Sequence, residues 1–439
     1  MNQNGRRVVI TGMGIISPLG STPDQLWESL VNQKSGVDYL QRIPGDGLPS
    51  NFGGEARGFT GSIDEFGELE KMLKRTIKKG LKLMCREIEM GVASAQLALK
   101  DSGLNPEIYD PVRIGTLFGS DYIVTEPAEF SSGVLNCLAD KKFDFEQWGE
   151  QGISKVEPLW LLKYLPNMPA SHVAIYNDLQ GPSNSLTVRE ASANLAIAEA
   201  TTILKRGIAD YMVVGATGSR IHPLRSVHVA LQEQLADPGS NGSAINPASA
   251  CRPFDAKRNG MVMGEGAGTV VLENYDTAVA RGAEILGEVL GYGSSTVANR
   301  QYVANYKDAI GNVIKSTLEC AGLKPQDIGH VNAHGLSTIR CDQEEAEAIL
   351  DVIGDQVPVV APKANMGNLG AGGGMVELVS SLKAFEANHL FAAINYEEPD
   401  SKCPVKLVSD STTHPGNIVL NINVTPQGQA SGVAIRRAG

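Results

Sequence analysis

Short runs of β-branched and aliphatic residues alternate along this chain with longer stretches in which apolar positions recur every three or four residues. The short runs predict buried strands, and the longer spacing predicts amphipathic helices. Because both patterns alternate along the chain, they predict an α/β fold in which helices cover a mixed or parallel sheet. The predicted strands are 7–16, 114–119, 185–188, 210–216, 268–273, 285–292, 330–333, 359–361, 406–408, 418–424 and 432–436. The predicted helices are 22–33, 69–102, 192–205, 307–321, 342–349 and 374–386.

The same order of strands and helices is found on both sides of Tyr275, which predicts two similar α/β units packed together. We place the boundary so that an N-terminal half comprises residues 1–274 and a C-terminal half comprises residues 275–439. Residues 41–67 are rich in glycine, proline and polar side chains, and this composition predicts an excursion over the surface.

The N-terminal run 6–20 places two arginines before apolar residues, as secretion signals do. The run is short and β-branched, two glycines interrupt it, and Pro18-Leu19-Gly20 is typical of a turn. We therefore predict a buried first strand. No stretch of about 18 apolar residues occurs anywhere in the chain, so we expect no membrane span.

Composition narrows the class of protein. The chain has 439 residues, 42% of them hydrophobic, and a net charge of −11. An acidic chain is unsuited to coating nucleic acid or an anionic membrane. The six cysteines are scattered without paired spacing, which favours a reduced, cytoplasmic protein. The seven histidines are dispersed, so we expect no metal site, and nothing points to a nicotinamide, flavin or pyridoxal cofactor.

Three segments carry residues suited to chemistry. Glu190 stands where a predicted strand runs into a helix of small residues, near helix N–H groups that would stabilise its charge. His334 follows a predicted strand and precedes a glycine, a position suited to acid–base work. Residues 361–374 are glycine-rich but match neither common nucleotide-binding motif. The residues alone favour a simpler interpretation, in which Glu190 is a surface acid at a helix start and His334 is a structural loop residue.

In this order, several segments resemble the β-ketoacyl-acyl-carrier-protein synthases of the elongating, synthase II type, which belong to the thiolase superfamily. The segments that carry the resemblance are RRVVITGMGIISPLG, PLWLLKYLPNMPASHVAIYNDLQGPSNS, RPFDAKRNGMVMGEGAGTVVLENYDTAVARGA, VNAHGLST, APKANMGNLGAGGGMVE and INYEEPD. The resemblance covers nearly the whole chain. It implies a duplicated, five-layer αβαβα fold and a dimer that pairs through the strand before Glu190.

The family's reaction uses a cysteine thiolate that holds the acyl chain, two histidines and an oxyanion hole. The resemblance places Glu190 at the cysteine position, His334 at the first histidine and Asn368 at the second. It also implies that Arg189 replaces a small residue beside the acyl tunnel. The remaining residues that it assigns to the site are Lys363 with its acidic partner Glu377, and Asp342, Glu345, Thr338 and Thr425.

Two further positions depart from the family's pattern. Leu336 stands where a threonine would contact the pantetheine arm. The loop that supplies an oxyanion N–H in the family is here Val424 to Gln429, and Pro426 within it has no N–H to donate. An ionised glutamate is a poor nucleophile toward a thioester, and an acyl-glutamate would be a mixed anhydride. Condensation by this chain alone is therefore not expected.

The resemblance leaves three functions open. The first is a partner of an intact ketosynthase, similar to a chain-length factor. The second is an enzyme in which Glu190, His334 and Asn368 decarboxylate, dehydrate or hydrolyse a carrier-bound thioester. The third is a module that binds an acyl carrier protein without chemistry. All three involve the carrier's phosphopantetheine arm as a substrate group, no resident cofactor, and a homodimer or a heterodimer with an intact ketosynthase.

A basic cluster in the predicted helix 69–102 stands out in this acidic chain. Spacings of three and four residues bring its cations together on one helix surface. Charge alone is equally consistent with a solvated face, but the resemblance implies that an acidic carrier protein docks near this helix. The residues that we assign to docking are Lys71, Lys74, Arg75, Lys78 and Lys79.

Overall fold

A computed structural model describes residues 5–44, 48, 50–105, 109–237 and 246–439. Its strands are β1 (Val8–Ile16), β2 (Val37–Tyr39), β3 (Phe52–Gly54), β4 (Ile114–Ser120), β5 (Leu138–Ala139), β6 (Lys142–Phe143), β7 (Ser183–Leu186), β8 (Tyr211–Ser219), β9 (Met263–Asn274), β10 (Gly287–Thr296), β11 (His330–Asn332), β12 (Pro358–Val360), β13 (Lys406–Leu407), β14 (Ile418–Val424) and β15 (Gln429–Arg437). Its α-helices are α1 (Pro23–Val31), α2 (Lys71–Gly80), α3 (Arg86–Asp101), α4 (Pro127–Asn136), α5 (Met168–Asn177), α6 (Ser192–Lys205), α7 (Pro223–Gln232), α8 (Tyr275–Ala280), α9 (Tyr306–Ala321), α10 (Ile339–Val352), α11 (Lys363–Met366) and α12 (Gly373–Ala387).

The two halves of the chain build their sheets in the same order. The first half runs β7-β4-β8-β9-β1, and the second runs β12-β11-β14-β15-β10, with β13 added outside β12. In each half the first three strands of this order are parallel, and the remaining neighbours are antiparallel. The sheets meet where β1 pairs with β10. This repeated order agrees with the predicted duplicated α/β fold, while the boundary at residue 274 stays a prediction.

Helices α6 and α12 form the middle layer of the fold. Both contact strands from the two halves, whereas α3 packs on strands of the first half and α9 on strands of the second. Small residues line the buried face of α6, including Ala193, Ala196 and Ala200, and α12 is buried from Gly373 to Phe385. Small side chains let two helices fit between two sheets, so the layers run helix, sheet, helix, sheet, helix. The predicted thiolase-like fold is confirmed.

The predicted helix 69–102 is wrong as a single element. Helix α2 ends at Gly80, a 3-10 turn covers Leu81–Leu83, and Met84 and Cys85 are extended before α3 begins. A Cβ on Gly80 would meet the hydroxyl of Tyr176, so a larger residue at the end of α2 would require that side chain to shift. The basic residues of the segment therefore divide between two helices.

The predicted surface excursion 41–67 is also largely wrong. Strand β3 lies within it and pairs in parallel with β9, and Ala56, Phe59, Ile63 and Phe66 are buried. Residues 45–47 and 49 of this segment lie outside the described residues. High glycine content here marks close backbone packing: a Cβ on Gly54 would lie 1.9 Å from the carbonyl oxygen of Met366.

The predicted first strand is confirmed, since β1 is buried at every position. Among the residues that the structure describes, no helix is both long enough and apolar enough to cross a membrane.

Candidate active site

The candidate site lies at the carboxyl ends of parallel strands, where loops from both halves converge. In the first half, Asp121 follows β4, Arg220 follows β8, and Glu190 follows β7 after a short turn. In the second half, His334 follows β11 and Lys363 follows β12. Because neighbouring parallel strands end at the same sheet edge, residues distant in sequence meet there. Topology thus brings these side chains to one region.

Glu190 sits in a tight turn between a strand and the central helix. Strand β7 ends at Leu186, a 3-10 turn covers Arg189–Ala191, and α6 begins at Ser192. Arg189 has a φ of 49°, a left-handed conformation that is strained for a residue with a Cβ. Glu190 is only 1% exposed, so the reading of this residue as a surface acid is wrong.

Side chains surround the Glu190 carboxylate. Arg220 donates from Nη2 to Oε1, Asn368 donates from Nδ2 to the same oxygen at 3.0 Å, and the Arg189 Nε lies 3.6 Å from Oε2. Burial raises the pKa of Glu190, but the positive charges of Arg220 and Arg189 outweigh it and hold the pKa far below its usual value. The group is therefore an ionised carboxylate with a very weak tendency to take up a proton.

The Glu190 contacts belong to a larger group of buried charges, which we call the ion network. Arg220 is fully buried, with Nη2 3.7 Å from Asp121, and Asp121 lies 2.9 Å from the Nη2 of Arg225. On the other side of Glu190, Arg189 donates a hydrogen bond to Glu233. The network consists of Glu233, Arg189, Glu190, Arg220, Asp121, Arg225 and Glu87.

Sequence reasoning found only Glu190 and Arg189 in this network. A signal was available, because Arg220 directly follows the buried strand of residues 211–219 and Arg225 comes five residues later. Arginines at that position need buried acids, since an unpaired buried charge is strongly unfavourable. Their partners were not evident, because Asp121 lies about a hundred residues earlier in the chain.

His334 is buried beside the network, with its backbone held by Glu345. The N–H groups of His334 and Gly335 donate to the two Glu345 oxygens at 2.7 and 2.8 Å. The imidazole is 1% exposed, and its Nδ1 makes no hydrogen bond. Burial, with the charge of Lys363, lowers the pKa of His334 well below its usual value. The ring is therefore neutral.

The other second-half residues form a hydrogen-bonded frame. Lys363 and Glu377 make a fully buried ion pair, and Asn423 donates to the second Glu377 oxygen at 2.8 Å. Asp342 accepts the backbone N–H groups of Phe254, Leu336 and Ser337 at 2.9, 2.9 and 3.1 Å. Burial raises the pKa of Asp342 to about 6 and that of Glu345 to about 8.

An open cleft lies next to this frame. Thr338 precedes α10, and Thr425 begins a turn in which its Oγ1 accepts the N–H of Gln429 at 3.2 Å. The cleft encloses about 170 Å³ and we call it the Pro426 cleft. Its lining residues are Gln232, Glu233, Gln234, Tyr306, Leu336, Thr338, Arg340, Cys341 and Pro426.

The predicted docking residues lie apart from the buried site. All five occupy α2, where Lys71, Arg75, Lys78 and Lys79 are exposed. Lys74 differs because its ammonium group pairs with Asp64. Within the described ranges, no group of three His, Cys, Asp or Glu side chains is placed to hold a metal ion.

Comparisons with known proteins identify the family. The β-ketoacyl synthase N-terminal domain matches residues 5–278, and the β-ketoacyl synthase C-terminal domain matches residues 286–397. The chain is 31% identical over 412 residues to 3-oxoacyl-[acyl-carrier-protein] synthase 2 of Synechocystis sp., covering 93% of this chain and 92% of that protein. The chain therefore belongs to the β-ketoacyl synthase family.

Solved structures share the fold. One is the ketosynthase of a type II polyketide synthase in complex with its acyl-carrier protein, with a TM-score of 0.84 and 23% identity. Another is the ishigamide ketosynthase/chain length factor, with a TM-score of 0.82 and 23% identity. Each match covers 99% of this chain and 100% of the other. The chain is thus ketosynthase-like, with a 3-oxoacyl-[acyl-carrier-protein] synthase among its relatives and a fold shared with the ketosynthase of a type II polyketide synthase.

Proposed function

We propose that this chain is a non-condensing partner of an intact ketosynthase, similar to a chain-length factor, in fatty-acid or polyketide-type biosynthesis. The observation that carries the proposal is the state of Glu190. It stands where the family resemblance places the nucleophilic cysteine, and three side chains bind its buried carboxylate. The proposal includes a cytoplasmic location, in keeping with six cysteines that are free thiols.

The geometry argues against Glu190 as a nucleophile or a base. Its Oε1 already accepts from Arg220 and Asn368, and Arg189 lies beside Oε2. A general base works best when its pKa is near the working pH. The pKa of Glu190 is instead lowered, which moves it further from neutral pH. An attack by this carboxylate on a thioester would also break its ion pairs in a buried setting.

Two surface features support a partner protein. Strand β7 ends the sheet order and pairs only with β4 in the described part of the chain, which leaves one edge open for another strand. Helix α5 packs against β7 and exposes Ile175. Large apolar side chains are also exposed between residues 135 and 161, and exposed apolar clusters of this kind are typical of interaction sites. They are Leu135, Leu138, Phe143, Phe145, Ile153, Leu159 and Leu161.

Co-purification from the native host tests the partner role. We expect the tagged chain to bring down a ketosynthase that has the cysteine. Ile175→Glu, next to β7, should weaken this capture because it places a charge in the apolar contact. Val279→Glu is the matched control, since Val279 is similarly exposed on α8. A chain recovered only as a homodimer, never with a cysteine-bearing paralogue, would contradict the proposal.

We further propose that an acyl carrier protein docks on the basic surface of α2. Four exposed cations on one helix give a local positive field on an acidic chain, and carrier proteins of this family are acidic by resemblance. Arg75→Glu with Lys78→Glu should abolish carrier binding measured by titration at low salt. Lys315→Glu, an exposed lysine on α9, should leave it unchanged. Unchanged affinity in the α2 variant would exclude this surface.

One observation favours the second candidate, an enzyme with a rebuilt site. Asn368 contacts Glu190 directly, and the neutral imidazole of His334 lies buried nearby with a free Nδ1. In this candidate, Asn368 and His334 supply the hydrogen-bond donors for the thioester enolate that forms on loss of carbon dioxide. Release of carbon dioxide from malonyl-carrier protein by the purified chain, lost in His334→Ala, would favour this function. No release from the wild-type chain would exclude it.

A further inference from the structure

The Arg189–Glu233 ion pair connects the lining of the open Pro426 cleft with the buried Glu190. Glu233 follows α7 and lines the cleft, although its side chain is only 4% exposed. Its carboxylate accepts from the Nη2 of Arg189, whose Nε lies 3.6 Å from Glu190. The guanidinium of Arg189 therefore lies between the cleft and the carboxylate.

We propose that Arg189 and Glu233 exclude the thioester arm of a carrier protein from this chain's own site. This inference rests on the proposed function, because it takes the Pro426 cleft as the side from which an arm would approach. An arm that entered there would meet the paired guanidinium and carboxylate before it reached position 190. Carrier-bound intermediates would thereby be directed to the partner subunit.

The contacts of the Arg189–Glu233 pair are those of a barrier at the cleft, which we call the plug, and not those of a structural core element. Arg189 Nε and Glu233 Oε2 make no hydrogen bonds, so a single N–H···O contact joins the two side chains. Arg220, in contrast, is fully buried and lies between Glu190 and Asp121. Removal of the Arg189–Glu233 pair thus leaves the deeper ion pairs in place. Arg189 also keeps its strained φ of 49°, which a glycine would adopt without strain.

Thiol labelling tests the exclusion directly. Glu190→Cys introduces a thiol at the buried position, and its alkylation by iodoacetamide at about pH 8.5 is followed by peptide mass spectrometry. The exposed Cys320 of the same chain is the internal standard. We expect slow labelling at position 190 in the single variant. Adding Arg189→Gly and Glu233→Gln should accelerate it about tenfold or more, which corresponds to opening a closed local structure.

The outcomes separate this inference from the partner role. Labelling at position 190 as fast as at Cys320 in the single variant would overturn the exclusion, as would no acceleration in the triple variant. Lys100→Met added to Glu190→Cys is the control, because Lys100 forms only a surface pair with Glu68.

If Glu190→Cys fails to fold, amide hydrogen exchange of residues 188–192 in the Arg189→Gly/Glu233→Gln variant tests the same exclusion. Faster exchange than in the wild-type chain supports it, and unchanged exchange overturns it. Co-purification with a ketosynthase is independent of either result.

Discussion

The buried acids on the two sides of the site have different partners. In the first half, Glu190 and Asp121 face arginine side chains. In the second half, Asp342 and Glu345 accept backbone N–H groups of the loop that carries His334. All four are buried to a similar degree. The pKa of Glu190, which has Arg220 and Arg189 beside it, is nevertheless lowered, whereas the pKa values of Asp342 and Glu345 are raised. Two close positive charges offset the burial of Glu190, while backbone donors and Arg258 at 3.8 Å do not offset the burial of Asp342.

The two sides also differ in which residues of the family pattern they keep. The two triplets of parallel strands have the same order, so the loops after β7, β4 and β8 correspond to those after β12, β11 and β14. The second half keeps His334, Lys363 and Glu377, but Leu336, Asn368 and Pro426 depart there from the family pattern. The first half carries Glu190 at the cysteine position, inside the ion network. The scaffold is thus intact on both sides, residues of the family pattern have changed on both, and the first side holds the larger group of paired buried charges.

The largest expected effect is the loss of Arg220. Arg220→Met leaves Glu190 and Asp121 without their shared buried cation, which should lower the free energy of unfolding by about 3–5 kcal/mol. Urea denaturation measures the change. Lys100→Met, which removes a surface pair with Glu68, should change stability by about 0–1 kcal/mol. Equal losses in the two variants would show that the ion network is not a cooperative buried unit.

A smaller loss is expected on the other side of the site. Asp342→Ala leaves three buried backbone N–H groups without their acceptor, which should cost about 1–3 kcal/mol in urea denaturation. Asp342→Asn keeps one acceptor oxygen and should lose less. If Asn is as damaging as Ala, the charge of Asp342 matters more than its hydrogen bonds, and the contrast between the two sides fails.

How stability depends on pH gives the most specific contrast. Glu345 has a pKa of about 8 in the fold against 4.5 when free, so the folded state holds the proton more tightly. Its contribution is present below about pH 4.5 and is lost as the pH rises toward 8, by about 1 kcal/mol per pH unit. The lowered pKa of Glu190 has the opposite sign: its contribution is present above 4.5 and is lost on acidification.

Two glutamine variants separate these effects. Glu345→Gln should flatten the fall in stability between about pH 5 and 8, and Glu190→Gln should change the profile only below about pH 5. Urea denaturation at a series of pH values measures both profiles. A profile of Glu345→Gln that is parallel to the wild-type profile would show that Glu345 is already ionised in the fold.

Much of the fold was predictable because buried strands have a strong local pattern. Strand β14 was predicted with its observed bounds, and α6 likewise. The break between α2 and α3 was not predicted, since the spacing of three and four residues between basic side chains continues from Lys78 through Lys82 to Arg86, across the extended Met84 and Cys85. Helix α7, which positions Glu233, was also missed.

The site, like the fold, was predictable from the sequence only in part. Family motifs pointed to Glu190, His334, Asn368 and Lys363, and the structure brings their loops together. The ion network was not predictable in full, because Asp121, Glu190 and Arg220 meet through the pairing of β4 with β7 and β8. A sequence shows that Arg220 needs a buried acid, but sheet order decides that Asp121 and Glu190 are the acids.

The central claim is that this chain does not carry the acyl group itself. Intact-protein mass spectrometry after incubation with an acyl-carrier thioester tests it most directly, with the chain alone and with the co-purified ketosynthase. The account predicts no acyl adduct on this chain in either sample and an adduct on the cysteine of the partner. An acyl adduct that maps to Glu190, or a β-ketoacyl product formed by this chain alone, would contradict it.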